Sequence, residues 1–167
     1  MSALKESICP GCGLRMPISA NASYDGYYNT SAECWGVYSE VLGTEYSNAL
    51  LFRKIHQLTV DTYAVQHAGG PHPDKSIAIH LSGLHLVLEQ DFPAPKAPQI
   101  LKRLADKVKT WPHFPPPGKR GSLTVIDVAL CDTVQEHITT VKKWAASVWE
   151  AWSPHHTSVE MFVKRTL

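Results

Sequence analysis

Apolar and polar positions are most tightly patterned between Tyr46 and His67. Leu51, Ile55, Leu58, Thr62 and Val65 form one stripe at helical spacing, and Phe52, His56, Val60, Tyr63 and His67 form a second row beside it. A helix apolar around so much of its circumference belongs in a core. This one takes His56, Gln57, Asp61, Gln66 and His67 in with it. An unpaired buried polar group costs about 1–3 kcal/mol, so neighbouring segments must supply partners.

The same spacing predicts the other elements. Cys34, Val37, Tyr38 and Val41 mark a helix from Ser31 that stops near Gly43. Ile77, His80, Leu81, Leu84, Val87 and Leu88 mark a third helix from Lys75 to about Gln90, after a Gly-Pro loop in which His72 is expected to be solvated and Asp74 to cap. A short helix of mixed charge, Pro98 to Val108, packs Ile100, Leu101 and Leu104 inward. The run Trp111 to Gly118 carries four prolines and cannot be helical, which makes residues 109–122 a strap. Thr124–Asp127 and Asp132–Gln135 resemble capping boxes leading into the longest helix, whose Val134, His137, Ile138, Val141, Trp144, Ala145, Val148, Trp149 and Trp152 keep three-four spacing. Ser153-Pro154 opens a last helix. The expected fold is all-α: a four- or five-helix bundle in one domain over residues 1–167, with residues 1–30 as an amino-terminal metal-binding arm.

That arm holds Cys9-Pro-Gly-Cys12-Gly, a zinc-knuckle sequence in which Pro and Gly turn the chain so that both thiolates face one ion. Redox chemistry and fortuitous spacing are the alternatives. A second Cys-x-x-Cys is absent, and Cys34 and Cys131 stand alone, so the other ligands must come from elsewhere. If Ser31–Leu42 and Tyr46–His67 form an antiparallel hairpin turning at Thr44–Glu45, reflection sets Cys34 level with His56. Cys9, Cys12, Cys34 and His56 then make a closed Cys3His zinc set, with His85 a competitor for the fourth place. Cys34 alone is otherwise a buried apolar thiol. His56 and His67 cannot share an ion, being about 16 Å apart along one helix at 1.5 Å per residue.

Reflection about the loop at Gly70–Pro71 sets Asp61 level with His80. The pair is either a carboxylate orienting a core histidine or an acid–base or metal-associated pair. His155 and His156 lie at a helix start, where the dipole favours the neutral, metal-binding imidazole. A second polar cluster of Asp61, Gln66, His67, His80 and His155 or His156 is therefore expected, with Asp61, His80, His67 and His155 as the catalytic candidates. A second ion there, of unknown identity, would activate water for hydrolysis or group transfer on a small-molecule substrate. The rival is a non-enzymatic module in which zinc is structural and a protein partner is bound.

Composition narrows the partners. A formal charge of +1 with scattered Lys and Arg gives no basic face for nucleic acid. The amino terminus lacks a signal-like apolar run and no segment reaches a membrane span, so a cytoplasmic protein is expected, with its four cysteines thiols or ligands rather than disulfides. A homodimer is plausible, without a face selected.

Several blocks, Cys9-Pro-x-Cys12-Gly, Cys34-Trp35, Leu58-Thr-Val-Asp-Thr-Tyr-Ala-Val-Gln-His67, His80-Leu81, Trp144-Ala-x-Ser-Val-Trp149 and Trp152-Ser-x-His155-His156, resemble a family of uncharacterised bacterial proteins carrying a domain of unknown function. The resemblance spans nearly the whole chain and implies no established activity. Similarity to DinB-like helical bundles, which hold a metal with three histidines, is architectural only.

Overall fold

The computed structural model describes residues 3–167; Met1 and Ser2, the start of the arm, lie outside the described residues. The all-α expectation holds. The helices are α1 (Ala32–Tyr46), α2 (Ala49–Lys54), α3 (His56–Gln66), α4 (Asp74–Glu89), α5 (Ala97–Lys107), α6 (Val125–Ala129), α7 (Val134–Ala151) and α8 (His156–Thr166). Among the described residues the one sheet is a two-stranded antiparallel ribbon, β1 (Glu6–Ile8) with β2 (Arg15–Pro17), which carries the Cys-x-x-Cys turn at its tip.

The central apolar helix of the sequence is two helices. α2 ends at Ile55, whose φ of −133° is not helical, and α3 starts at His56. α1 in turn runs through Gly43 to Tyr46, and Asn48 caps α2 by accepting from the amides of Leu50 and Leu51. The connection between α1 and α3 is therefore α2 itself, and its middle lies several residues beyond the expected turn at Thr44–Glu45.

α3 occupies the centre, packed against α4 and α7 with α1 beside it, and α5 and α8 cover α4. Leu58, Tyr63, Ala64 and Val65 of α3 are buried, as are Ile77, Leu81 and Leu84 of α4 and Val141, Trp144, Val148 and Trp152 of α7. The tryptophans are thus mostly core, as their spacing indicates. Burying side chains of this size contributes about 1.5–3 kcal/mol each. The polar residues of α3 find their partners as the energetics demand. Gln66 donates to the carbonyls of Arg120 (3.0 Å) and Leu123 (2.8 Å) and accepts from Trp144 Nε1 (3.0 Å).

The longest helix is capped one residue later than the sequence suggests. Thr133 accepts from the Glu136 amide, and the Glu136 carboxylate accepts from the Thr133 amide, closing the box at Thr133–Glu136 instead of Asp132–Gln135. The strap is docked. Phe114 is buried, His155 Nε2 donates to the Pro115 carbonyl (2.8 Å), and His113 pairs with Asp74 (2.7 Å). Asp74 is the first residue of α4 and not its cap, which is Pro73. No helix among the described residues is long and apolar enough to cross a membrane.

Candidate metal centre

Cys9, Cys12, Cys34 and His67 converge, with their donor atoms all within 4.8 Å of one another. Cys9 and Cys12 sit on the turn between β1 and β2. The Cys9 amide donates to the Leu14 carbonyl (2.9 Å), the Gly13 amide to the Cys9 carbonyl (2.9 Å), and Gly13 takes φ of 78°, a left-handed conformation that favours glycine. Gly11 lies flat against α3. A Cβ there would stand 2.6 Å from His67 Cδ2 and would meet the Asn29 carbonyl, so only glycine lets the turn dock. Cys34 comes from the first turn of α1, where Ser31 caps by accepting from the Cys34 amide (3.1 Å).

His67 rather than His56 supplies the imidazole. His56 is turned away to Glu45, its Nδ1 2.8 Å from Oε2. His85 is also elsewhere, on α4 beside Trp149. The reason is the register of the hairpin. Three contacts between α1 and α3, Cys34 with His67, Tyr38 stacked on Tyr63 and Glu45 with His56, are all symmetric about one point in α2, between Leu50 and Leu51. Reflection was the right operation about the wrong point.

The geometry fits a tetrahedral ion. With Zn–S of about 2.3 Å and Zn–N of about 2.0–2.1 Å, a tetrahedron has S···S edges of about 3.8 Å and S···N edges of about 3.5 Å. Cys12 Sγ and Cys34 Sγ are 3.8 Å apart, and Cys34 Sγ is 3.4 Å from His67 Nε2. His67 is held in the ligating tautomer. Its Nδ1 donates to the Tyr63 carbonyl (2.7 Å), which leaves Nε2 facing the sulfurs.

Around these four groups the chain end of α3 is fully partnered. The His67 carbonyl accepts from the Asn29 amide (3.1 Å) and from His72 Nδ1 (2.9 Å), while Arg120 donates to the carbonyls of Gln66 (3.1 Å) and Ala68 (2.9 Å). His72 is thus buried, not solvated, and burial holds its pKa down at about 4. Tyr63 stacks on His67 and directs its hydroxyl to Cys34 Sγ (3.5 Å) and Thr30 Oγ1 (2.7 Å); Thr30 in turn touches Cys9 Sγ (3.5 Å). Burial lowers the Arg120 pKa, and the nearby Cys9 and Cys12 sulfurs oppose that shift.

The protonation states of the four donors depend on one another. Hydrogen bonds from Cys12 and Cys34 pull the Cys9 thiol far below its ordinary range, while the same bonds, with Cys34 and Cys9, push Cys12 far above it. Burial opposes charge on His67, but hydrogen bonds to Cys34 and Cys9 outweigh it and raise the imidazole to about 9. Three sulfurs this close cannot all ionise beside one another unless a cation takes the place of the shared protons.

The second polar cluster does not assemble. Asp61 and His80 do meet, at 2.7 Å between Oδ1 and Nδ1, with Gln57 Nε2 also donating to Oδ1 (2.8 Å). Burial raises the Asp61 pKa against those two bonds, and its Oδ2 is buried without a partner beside Gly83. Gln66 instead binds the strap and Trp144, His67 joins the cysteines, and His155 and His156 donate to the carbonyls of Pro115 and Trp149. A buried carboxylate centre went unanticipated: Glu45 Oε1 accepts from Thr59 (2.6 Å) and His137 Nε2 (2.8 Å), opposite the His56 bond. Glu45 follows Val41 at helical spacing in the sequence, a signal that extending α1 past Gly43 would have used.

No curated protein and no solved structure matches the chain. A family described as a family of unknown function, DUF5946, matches residues 7–153, a span that includes all four converging donors and the helices that carry them. The chain belongs to that family.

Proposed function

We propose that the chain is a zinc protein whose Cys9/Cys12/Cys34/His67 centre is structural, fastening the amino-terminal ribbon to the start of α1 and the end of α3, and that it acts by binding a protein partner instead of by chemistry at that ion. The observation that carries this reading is the closed donor set. Four protein ligands at tetrahedral spacing leave no position for water or substrate, which is the mark of structural zinc. Three thiolates with one imidazole also favour zinc over the oxygen-seeking cations.

The test is metal content per chain by mass spectrometry on tag-free protein purified without chelator, beside a Cys9→Ser/Cys12→Ser variant. One zinc per chain is expected, lost in the variant together with cooperative unfolding of its amino-terminal part. Zinc content unchanged by loss of both cysteines would overturn the assignment.

A second reading places acid–base work at Asp61 and His80, supported by the raised carboxyl and the unpartnered Oδ2. It predicts that Asp61→Asn keeps both fold and zinc while abolishing turnover of a small-molecule substrate.

A further inference from the structure

α4 and α8 pack together, and each presents a histidine and a glutamate one helical turn apart: His85 with Glu89, and His156 with Glu160. All four line one polar cleft of about 230 Å3, with Trp149 of α7 as its wall. We propose that this cleft is a second metal site, in which His85, Glu89, His156 and Glu160 bind one divalent transition-metal ion, open to solvent and separate from the cysteine centre.

Trp149 organises one donor from each helix. Its indole Nε1 donates to Glu89 Oε1 (2.6 Å), leaving the other carboxylate oxygen for a ligand. Its carbonyl accepts from His156 Nε2 (2.7 Å), and the His156 ring lies on the indole with centroids 4.0 Å apart. That bond puts the His156 proton on Nε2 and leaves Nδ1 as the lone-pair nitrogen.

His85 is the observation that points to a ligand. It is only 4% exposed, it lines the cleft, and no hydrogen bond to its ring occurs among the described residues. Neither of its nitrogens is among the fully enclosed unpartnered atoms, so both keep some exposure on a residue that lines the cleft. A nearly buried imidazole that faces only a polar cavity has its bonding capacity unspent.

Imidazole and carboxylate together suit zinc, cobalt, nickel, iron or manganese, and the cleft has room for the ion with several waters at about 30 Å3 each. The four donors line the cavity with no three of them within 4.8 Å of one another, so the glutamate side chains turn inward on binding. Glu160 Oε1 is held by Lys164 (2.6 Å) in a pair whose side chains are 41% and 68% exposed, an interaction weak enough for an ion to displace.

The experiment adds Co2+ to the full chain holding one zinc, at the cysteine centre, and follows cobalt and zinc content after dialysis together with tryptophan fluorescence. One cobalt per chain is expected, with zinc retained and Trp149 emission quenched. Glu160→Gln and Glu89→Gln, both at exposed side chains, are each expected to weaken cobalt binding at least about tenfold at unchanged zinc content. Lys164→Gln, which frees Glu160, strengthens it. Absence of saturable cobalt uptake, uptake matched by an equal loss of zinc, or uptake indifferent to both glutamine variants would overturn the proposal.

Discussion

Replacing Tyr63 by Phe removes one oxygen from beside the cysteine centre and little else. The ring is sandwiched between Tyr38 (centroids 3.7 Å) and His67 (3.8 Å), and Phe keeps both stacks. What goes is the hydroxyl that donates to Cys34 Sγ at 3.5 Å and joins Thr30 at 2.7 Å. Partners of metal ligands are worth about 10–100-fold in affinity. A bond to sulfur at this length belongs at the weak end, and Thr30 retains the Ser31 carbonyl as an acceptor (3.2 Å), so its hydroxyl is not stranded. The expected loss is therefore about tenfold in zinc affinity, or about 1.4 kcal/mol. Competition with a chromophoric chelator at fixed pH and ionic strength reads it directly. Affinity unchanged within about twofold would refute a role for the hydroxyl in holding the thiolate, and complete loss of metal would show that the hydroxyl does more than one weak bond to sulfur.

Two further substitutions probe the core that supports the centre. Glu45→Gln should cost about 3 kcal/mol at pH 7 by urea denaturation, because a buried carboxylate loses charge while His56, Thr59 and His137 keep their donors. Burial raises Glu45, but hydrogen bonds from His137, His56 and Thr59 outweigh it and hold its pKa below the ordinary 4.5. Its contribution is therefore complete above pH 4.5 and is lost as pH falls through the lower folded value, so wild type and variant should converge in acid; a difference that grows there would contradict the sign. Gly83→Ala should lower the unfolding free energy by about 1–3 kcal/mol despite the better helix propensity of alanine, since its Cβ would stand 2.7 Å from Asp61 Cγ. Stabilisation by this change, measured by denaturation, would mean that Asp61 moves aside freely.

Much of the fold follows from side-chain periodicity alone. The stripes on α4, α5 and α7 are local properties, and the structure buries most of the positions they select, with Val134 at the start of α7 left exposed. The knuckle, the Pro-rich strap and the Asp61–His80 contact were legible for related reasons. A Cys-Pro-Gly-Cys turn is specified by its own backbone chemistry, and the loop at Gly70–Pro71 is short enough to fix the register of α3 against α4. The resemblance to a family without a known activity was carried by contiguous blocks, which need no structure to recognise.

The fourth ligand was not legible. Whether Cys34 faces His56 or His67 depends on where the chain turns between α1 and α3, and the helical periodicity runs without interruption through the break at Ile55. Gly43 also looked like a stop although α1 passes through it, because tertiary burial of Val41 and Glu45 outweighs the roughly 1 kcal/mol propensity cost of glycine. The cleft between α4 and α8 shows the same division. His85 with Glu89 and His156 with Glu160 are each a helical turn apart, which spacing reveals, but only packing brings the two turns to one cavity and stands Trp149 between them. Spacing along one helix is set by 3.6 residues per turn; distance between helices is set by how whole elements pack, and no local pattern contains it.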